Sequence, residues 1–100
     1  MADPANPEIG LSIEAAGLST NYHDVGEGRP VVLLHGSGPG VTGWANWRLT
    51  IPVLAEDRRV LAPDITGFGY TGKTPDDRYD MDVWRSHLVG FLDALDLGQV

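Results

Sequence analysis

Apolar positions along the chain fall into six runs separated by stretches rich in glycine, proline and aspartate. Ile9 to Ala15 and Leu18 to Val25 read as two short strands with Gly17 at the turn, a hairpin carrying Asn21, Tyr22 and His23 on its second arm. Val25 to Pro30 is loop chemistry, with two glycines and a proline. Val31-Val32-Leu33-Leu34 then runs apolar without alternation, the pattern of a strand buried on both faces of a parallel sheet. Trp44 to Ala55 is predicted as one helix whose regularity Pro52 limits. Arg59 to Ala62 is the next strand, closed by Pro63-Asp64, and the loop from Thr66 to Arg78 is rich in Gly, Thr and Asp. The last run is the most regular. Asp80 is placed to cap a helix along which Val83, Trp84, His87, Leu88, Phe91, Leu92 and Leu95 recur at helical spacing. Gly98 stands where the helix end wants a left-handed residue, and Gln99-Val100 would begin another strand. Hairpin, strand, helix, strand, helix is an α/β order stopped in the middle of a sheet. Residues 1–8, with two prolines and an asparagine, are expected to be a disordered end, and 9–100 a single, incomplete domain.

Composition removes several classes of function. The chain of 100 residues is 42% hydrophobic and 21% charged, as in an ordinary globular domain. Its formal net charge is −7, with basic residues scattered singly. That gives no electrostatic footprint for nucleic acid or an anionic membrane, and neither partner is expected. With no cysteine there are no disulfides, thiolate metal sites or thiol nucleophile, which suits a reducing cytoplasm, the expected location. The opening MADPANPEIG has neither a basic segment nor an apolar stretch, so it does not read as a secretory leader. No apolar run reaches the length of a bilayer span.

Three glycine loops match well-known patterns, and their contexts separate them. Gly38, Gly40 and Gly43 spell G-x-G-x-x-G after an apolar strand, with Asp64 lying 21 residues beyond Gly43, as a dinucleotide fold requires. Against it, Pro39 falls inside the tight turn, Val41 to Trp44 is a poor helix start, and a hairpin precedes the strand. Gly67 through Gly72-Lys73-Thr74 spells a phosphate-binding loop, but Pro75 pushes Thr74 out of the helical region and Asp76, Asp77 and Asp80 crowd the place of the phosphates. The third loop is His35-Gly36-Ser37-Gly38-Pro39-Gly40 itself. An apolar strand ending in His-Gly and a glycine-rich turn is how half of an oxyanion hole is built. A backbone N–H is held at the C-terminal end of a sheet strand, with no side chain in front of it. A plain strand-to-helix connection without chemistry is the alternative reading of the same loop.

The run VVLLHGSGPGVTGWANWRLTIPVLAEDRRVLAPDITGFGYT closely resembles the N-terminal region of the meta-cleavage product hydrolases, α/β-hydrolases that cut a carbon–carbon bond in ring-opened aromatic catabolites. The HGSGPG loop, Trp44-Ala45-Asn46-Trp47, and Pro63-Asp64 with Gly67-Phe68-Gly69 carry the resemblance, which extends from about Ile9 onward. It implies the N-terminal portion of an α/β-hydrolase sheet: a hairpin, then parallel strands with flanking helices. It also implies hydrolysis of a 2-hydroxy-6-oxo-dienoate in aromatic catabolism, with water as second substrate and no metal or organic cofactor. A homo-oligomer is the assembly it allows for a full-length parent.

At single positions it implies that the Ser37 amide is one oxyanion donor, that Gly36 and Gly38 shape the turn, and that Asn46 and the Ser37 hydroxyl touch the polar end of the substrate. Without the resemblance, Asn46 would be a polar residue in a first helical turn and Ser37 an ordinary turn serine. His35 is expected to be a hydrogen-bonded strut for the loop, His87 a core residue, His23 a surface residue, and Asp64 an organiser of the following turn. None of Ser12, Ser19, Ser37 and Ser86 stands in G-x-S-x-G, so the nucleophile and its Asp and His partners are expected beyond Val100. The chain is thus expected to be the opening third of an enzyme, inactive and poorly stable alone. An esterase, epoxide hydrolase or aminopeptidase, or a hydrolase-like scaffold used for binding, would share the same loop. A dinucleotide-binding module is the most distant alternative.

Overall fold

A computed structural model describes residues 6–100. The hairpin forms as expected from β1 (Leu11–Ala15) and β2 (Leu18–Val25), with Ala15 opposite Leu18 across a two-residue turn. Ala16 and Gly17 both take positive φ there, 51° and 79°, the twist that a tight hairpin needs. β3 (Arg29–Val32) and β4 (Arg58–Pro63) complete a four-stranded mixed sheet of order β1-β2-β4-β3. β4 runs antiparallel to β2 and parallel to β3.

The two apolar strands differ in how they are covered. Val31 to Leu34 is predicted to be buried on both faces; Val31 to Leu33 are half-buried and Leu34 is 42% exposed, with β3 the outermost of the described strands. Among the described residues it has one neighbour, β4, so its second row of backbone groups has no strand to bond. β4 is the strand enclosed on both sides. Val60 and Ala62 point to one face, where Ile51, Leu33, Trp44, Trp47 and Leu54 cover them. Leu61 points to the other, against Ala15, Tyr22 and Phe91, with Ile13, Val32 and Leu92 around them. Each face of one strand thus belongs to a different core, the period-two consequence of the pleat.

The helix expected over Trp44–Ala55 is two short ones, α1 (Gly43–Trp47) and α2 (Ile51–Leu54). Pro52 has no N–H to give to the carbonyl four residues back and its ring crowds that carbonyl, so the chain restarts with Pro52 in a first turn. Thr42 caps α1 by accepting from the Ala45 N–H at 2.9 Å. α3 (Met81–Ala94) begins as expected, with Asp80 accepting from the Val83 N–H at 2.9 Å.

Its end differs from the expectation. Asp96, not Gly98, takes the left-handed conformation, at φ 54°. The Leu97 N–H reaches Leu92 O at 3.0 Å and the Asp96 N–H reaches Asp93 O at 3.0 Å, the paired bonds of a Schellman turn. Leu97 folds back onto the same core as Leu92 and Leu95, and this contact sets where the helix stops.

Of the N-terminal stretch expected to be disordered, residues 1–5 lie outside the described residues. Asn6 to Glu8 cross the strand ends. Asn6 Nδ2 donates to Tyr70 Oη at 2.8 Å, and the carbonyls of Pro7 and Glu8 accept from His23 Nε2 and Asn21 Nδ2, each at 2.8 Å. His23, expected at the surface, is instead half-buried with its ring 4.9 Å from that of Trp44. No described helix is long and apolar enough to cross a membrane.

Candidate functional site

The loop His35 to Gly40 leaves the C-terminal end of β3 and returns through Thr42 into α1. Positive φ at Gly38 (145°) and Gly40 (76°) turns the chain sharply in a way that side-chain-bearing residues resist. Two groups fasten it. At its start the His35 ring bridges to the segment after β4: the Ile65 N–H donates to Nε2 at 2.9 Å, and Nδ1 lies 2.7 Å from Gly36 O. Phe68 meets the ring edge-on at 5.2 Å between centroids. His35 is therefore the strut that its position suggested.

At the loop's end stands Asp64, fully buried and, among the described residues, with no cation against it. Its carboxylate accepts from the Gly43 N–H at 2.7 Å, from the Tyr70 N–H at 3.0 Å and from Asn21 Nδ2 at 2.9 Å. A buried carboxylate requires such donors, and three of them replace the water it has lost. Gly69 makes room for it: φ there is 56°, and a Cβ would collide with the carboxylate. Asp64 thus clamps β2, the start of α1 and the second glycine loop together, which is more than organising its own turn. Asn21 is the member that sequence reasoning missed. Its Oδ1 accepts from the Gly10 N–H at 2.9 Å while its amide serves both Glu8 O and Asp64. A polar residue next to Tyr22 in a strand was the available signal.

The same bonds dispose of both phosphate-loop patterns. The Gly43 amide, which a dinucleotide loop would offer to pyrophosphate, is already given to Asp64, and Asp64 is turned inward away from any ribose. No helix follows Lys73. The Thr74 N–H donates to Tyr79 Oη at 3.2 Å, its hydroxyl to Arg78 O at 3.1 Å, and helix begins only at Met81.

Beside the His35–Gly40 loop lies an apolar cavity of about 410 Å³. Gly36 and Ser37 line it together with His35, and its walls are Phe68, Trp84 and Leu88 among others. Trp84 donates its indole N–H to Thr66 O at 3.1 Å, which fixes the ring in that wall. Trp84 and Leu88 were legible as an apolar helical stripe, but not as a cavity wall. Gly38 faces a second cavity, between the two glycine loops, with Val41, Thr42 and Gly67 to Tyr70. Asn46 lines neither; it is exposed on α1, its backbone N–H bonded to Thr42 O at 3.1 Å. The structure therefore brings Gly36 and Ser37 together at one cavity and leaves Gly38 and Asn46 outside it.

His87 is the buried histidine of the core. The Thr66 N–H donates to Nδ1 at 3.2 Å, so the neutral ring carries its proton on Nε2 and donates it to Thr20 Oγ1 at 2.8 Å; Thr20 in turn donates to Leu18 O at 3.1 Å. Burial pushes its pKa below the ordinary histidine value.

The family model for the alpha/beta hydrolase fold matches residues 29–100. The chain belongs to the α/β-hydrolase fold family. Within it, the chain is 58% identical over 100 residues to a 2-hydroxymuconate semialdehyde hydrolase of Pseudomonas sp. strain CF600, covering 99% of this chain and 35% of that protein. It is 56% identical over 95 residues to a 2-hydroxy-6-oxo-2,4-heptadienoate hydrolase of Pseudomonas putida strain F1, covering 95% and 34%. A meta-cleavage product hydrolase from Pseudomonas fluorescens IP01 superposes with a TM-score of 0.89 at 59% identity, over 91% of this chain and 34% of that one. The chain thus spans about a third of the length of these α/β-hydrolases.

Proposed function

We propose that this chain supplies the oxyanion side of a hydrolase that cuts the carbon–carbon bond of a 2-hydroxy-6-oxo-dienoate. The observation that carries the proposal is the Ser37 backbone at the edge of an apolar cavity, on a loop fastened by His35 and Asp64. The likeness to dienoate hydrolases supports this substrate class. In the reaction, the carbonyl carbon at position 6 gains the hydroxyl of water, and the carbon it leaves gains the proton. A carboxylic acid and a 2-hydroxypentadienoate result. Negative charge gathers on the carbonyl oxygen as the tetrahedral centre forms, and a fixed N–H at that point stabilises it; one such donor contributes about 2.7–4 kcal/mol. Gly36 and Gly38 leave the amide unobstructed, and Asn46, exposed on α1 and away from the cavity, is given no role at the dienoate. The serine nucleophile and its histidine and acid partners come from residues outside this chain, because none of its serines stands in an elbow sequence.

The test is turnover by the intact protein that carries this chain. Loss of the dienoate chromophore, with the two acids as products, is the expected result. An oxyanion donor serves an ester carbonyl equally well, so ester hydrolysis is the second reading. Turnover of 4-nitrophenyl acetate with no action on the dienoate would select it.

A further inference from the structure

We propose that His35 is the positioning residue that aims the Ser37 amide, and that it does so in one tautomer; this rests on the oxyanion reading above. The Ile65 N–H can donate to Nε2 only if that nitrogen carries no proton. The single proton of the neutral ring is then on Nδ1, which donates to Gly36 O at 2.7 Å. That carbonyl and the Ser37 N–H belong to one peptide plane and point in opposite directions. Holding the carbonyl against His35 therefore turns the Ser37 N–H away from the ring. Among the described residues no protein acceptor takes this N–H, and Ser37 lines the cavity.

The latch has a reason to exist. Gly36 has no side chain and open space around its Cα, so little else resists rotation of the peptide that follows it. A flipped peptide would present a carbonyl oxygen where negative charge develops, converting stabilisation into repulsion. The ring that prevents this is itself fixed at both ends, by the Ile65 N–H and by the edge of Phe68. The backbone after β4 thus sets the ring, the ring sets the Gly36 carbonyl, and the carbonyl sets the amide. His35 touches no reacting atom in this scheme.

Two substitutions separate aiming from simple support. The amide of an H35N side chain can donate to Gly36 O in place of Nδ1–H but falls short of Ile65. The longer H35Q side chain can accept from the Ile65 N–H but offers no donor at Gly36. In the intact hydrolase, kcat and KM are measured with the dienoate and with 4-nitrophenyl acetate, beside Tm. H35N is expected to keep kcat within about fivefold of the parent. H35Q is expected to lose about 10- to 100-fold in kcat at nearly constant KM, the scale of a misaimed catalytic group, although its Tm is the better preserved. Loss of kcat in step with Tm in both variants would overturn the proposal. So would a proton found on Nε2 rather than Nδ1 by 15N NMR of the His35 ring, a reading that needs no turnover. If the protein acts on the ester alone, the dienoate reading fails, and the ranking of the two variants on the ester still decides the role of His35.

Discussion

His87 shows how one residue's surroundings decide its chemistry. Its place on an apolar helical stripe marks it for the core, and its neighbours then fix its proton. Thr66 supplies a donor to one nitrogen, Thr20 takes the proton of the other, and burial disfavours a second proton. A folded pKa below the unfolded one means that the unfolded chain binds more protons as the medium is acidified. Stability from this group is whole above the unfolded value, about 6.5, and declines as pH falls below it. We expect the urea midpoint of the intact protein to fall between about pH 7.5 and pH 5.5, and H87Q, which cannot titrate, to flatten that part of the profile. An unchanged slope in H87Q would place the pH dependence in other groups. His35 illustrates a different outcome for the same residue type: only half-buried, it uses both nitrogens to connect two loops.

The elements carry their own instructions, and α3 is the clearest example. Asp80 caps its first turn, but its last turn depends on an aspartate in a left-handed conformation at a helix end with no basic residue to balance it. Both features cost stability, since Asp tolerates that conformation less well than glycine and its charge opposes the helix dipole. D96G should therefore stabilise the protein by about 0.5–1 kcal/mol, read as a rise in Tm without change in turnover. No rise would mean that the Leu97 contact already holds the turn without strain. Pro52 teaches the complementary lesson. It was legible as a limit on helicity, but the division into α1 and α2 also needed Thr42 to cap the first and Ile51 to anchor the second in the core.

At the scale of the molecule, β3 is the telling strand. It leads into the His35–Gly40 loop, yet among the described residues it is bonded on one edge only, and Leu34, Leu49, Val53 and Met81 are exposed apolar side chains on the same chain. Residues 1–100 produced alone are expected to unfold broadly and to self-associate, because an open strand edge and bare apolar surface invite pairing with other copies. Calorimetry with analytical ultracentrifugation checks this; a sharp two-state melt of a monomer would contradict it.

The strands and their order, the tight hairpin, α3 with its cap and the HGSGPG loop were readable along the chain, because each is set by residues within a few positions of one another. Apolar periodicity also named His87, Phe91, Leu92 and Leu95 as residues that α3 turns inward. How the strands pair was not readable: Val31 to Leu34 and Arg59 to Ala62 look alike in sequence, and only pairing places β4 between β2 and β3 with a separate core on each of its faces. The same holds for the site. Gly36 and Ser37, which line the cavity, are neighbours in one glycine loop, whereas the Asn21–Asp64–Gly43 clamp and the contact of His35 with Ile65 join residues 21 to 43 positions apart. Local sequence specifies conformation through steric and capping preferences; it does not specify which distant donor will meet a buried acceptor. That choice belongs to the packed sheet, and with it the direction in which the Ser37 amide points.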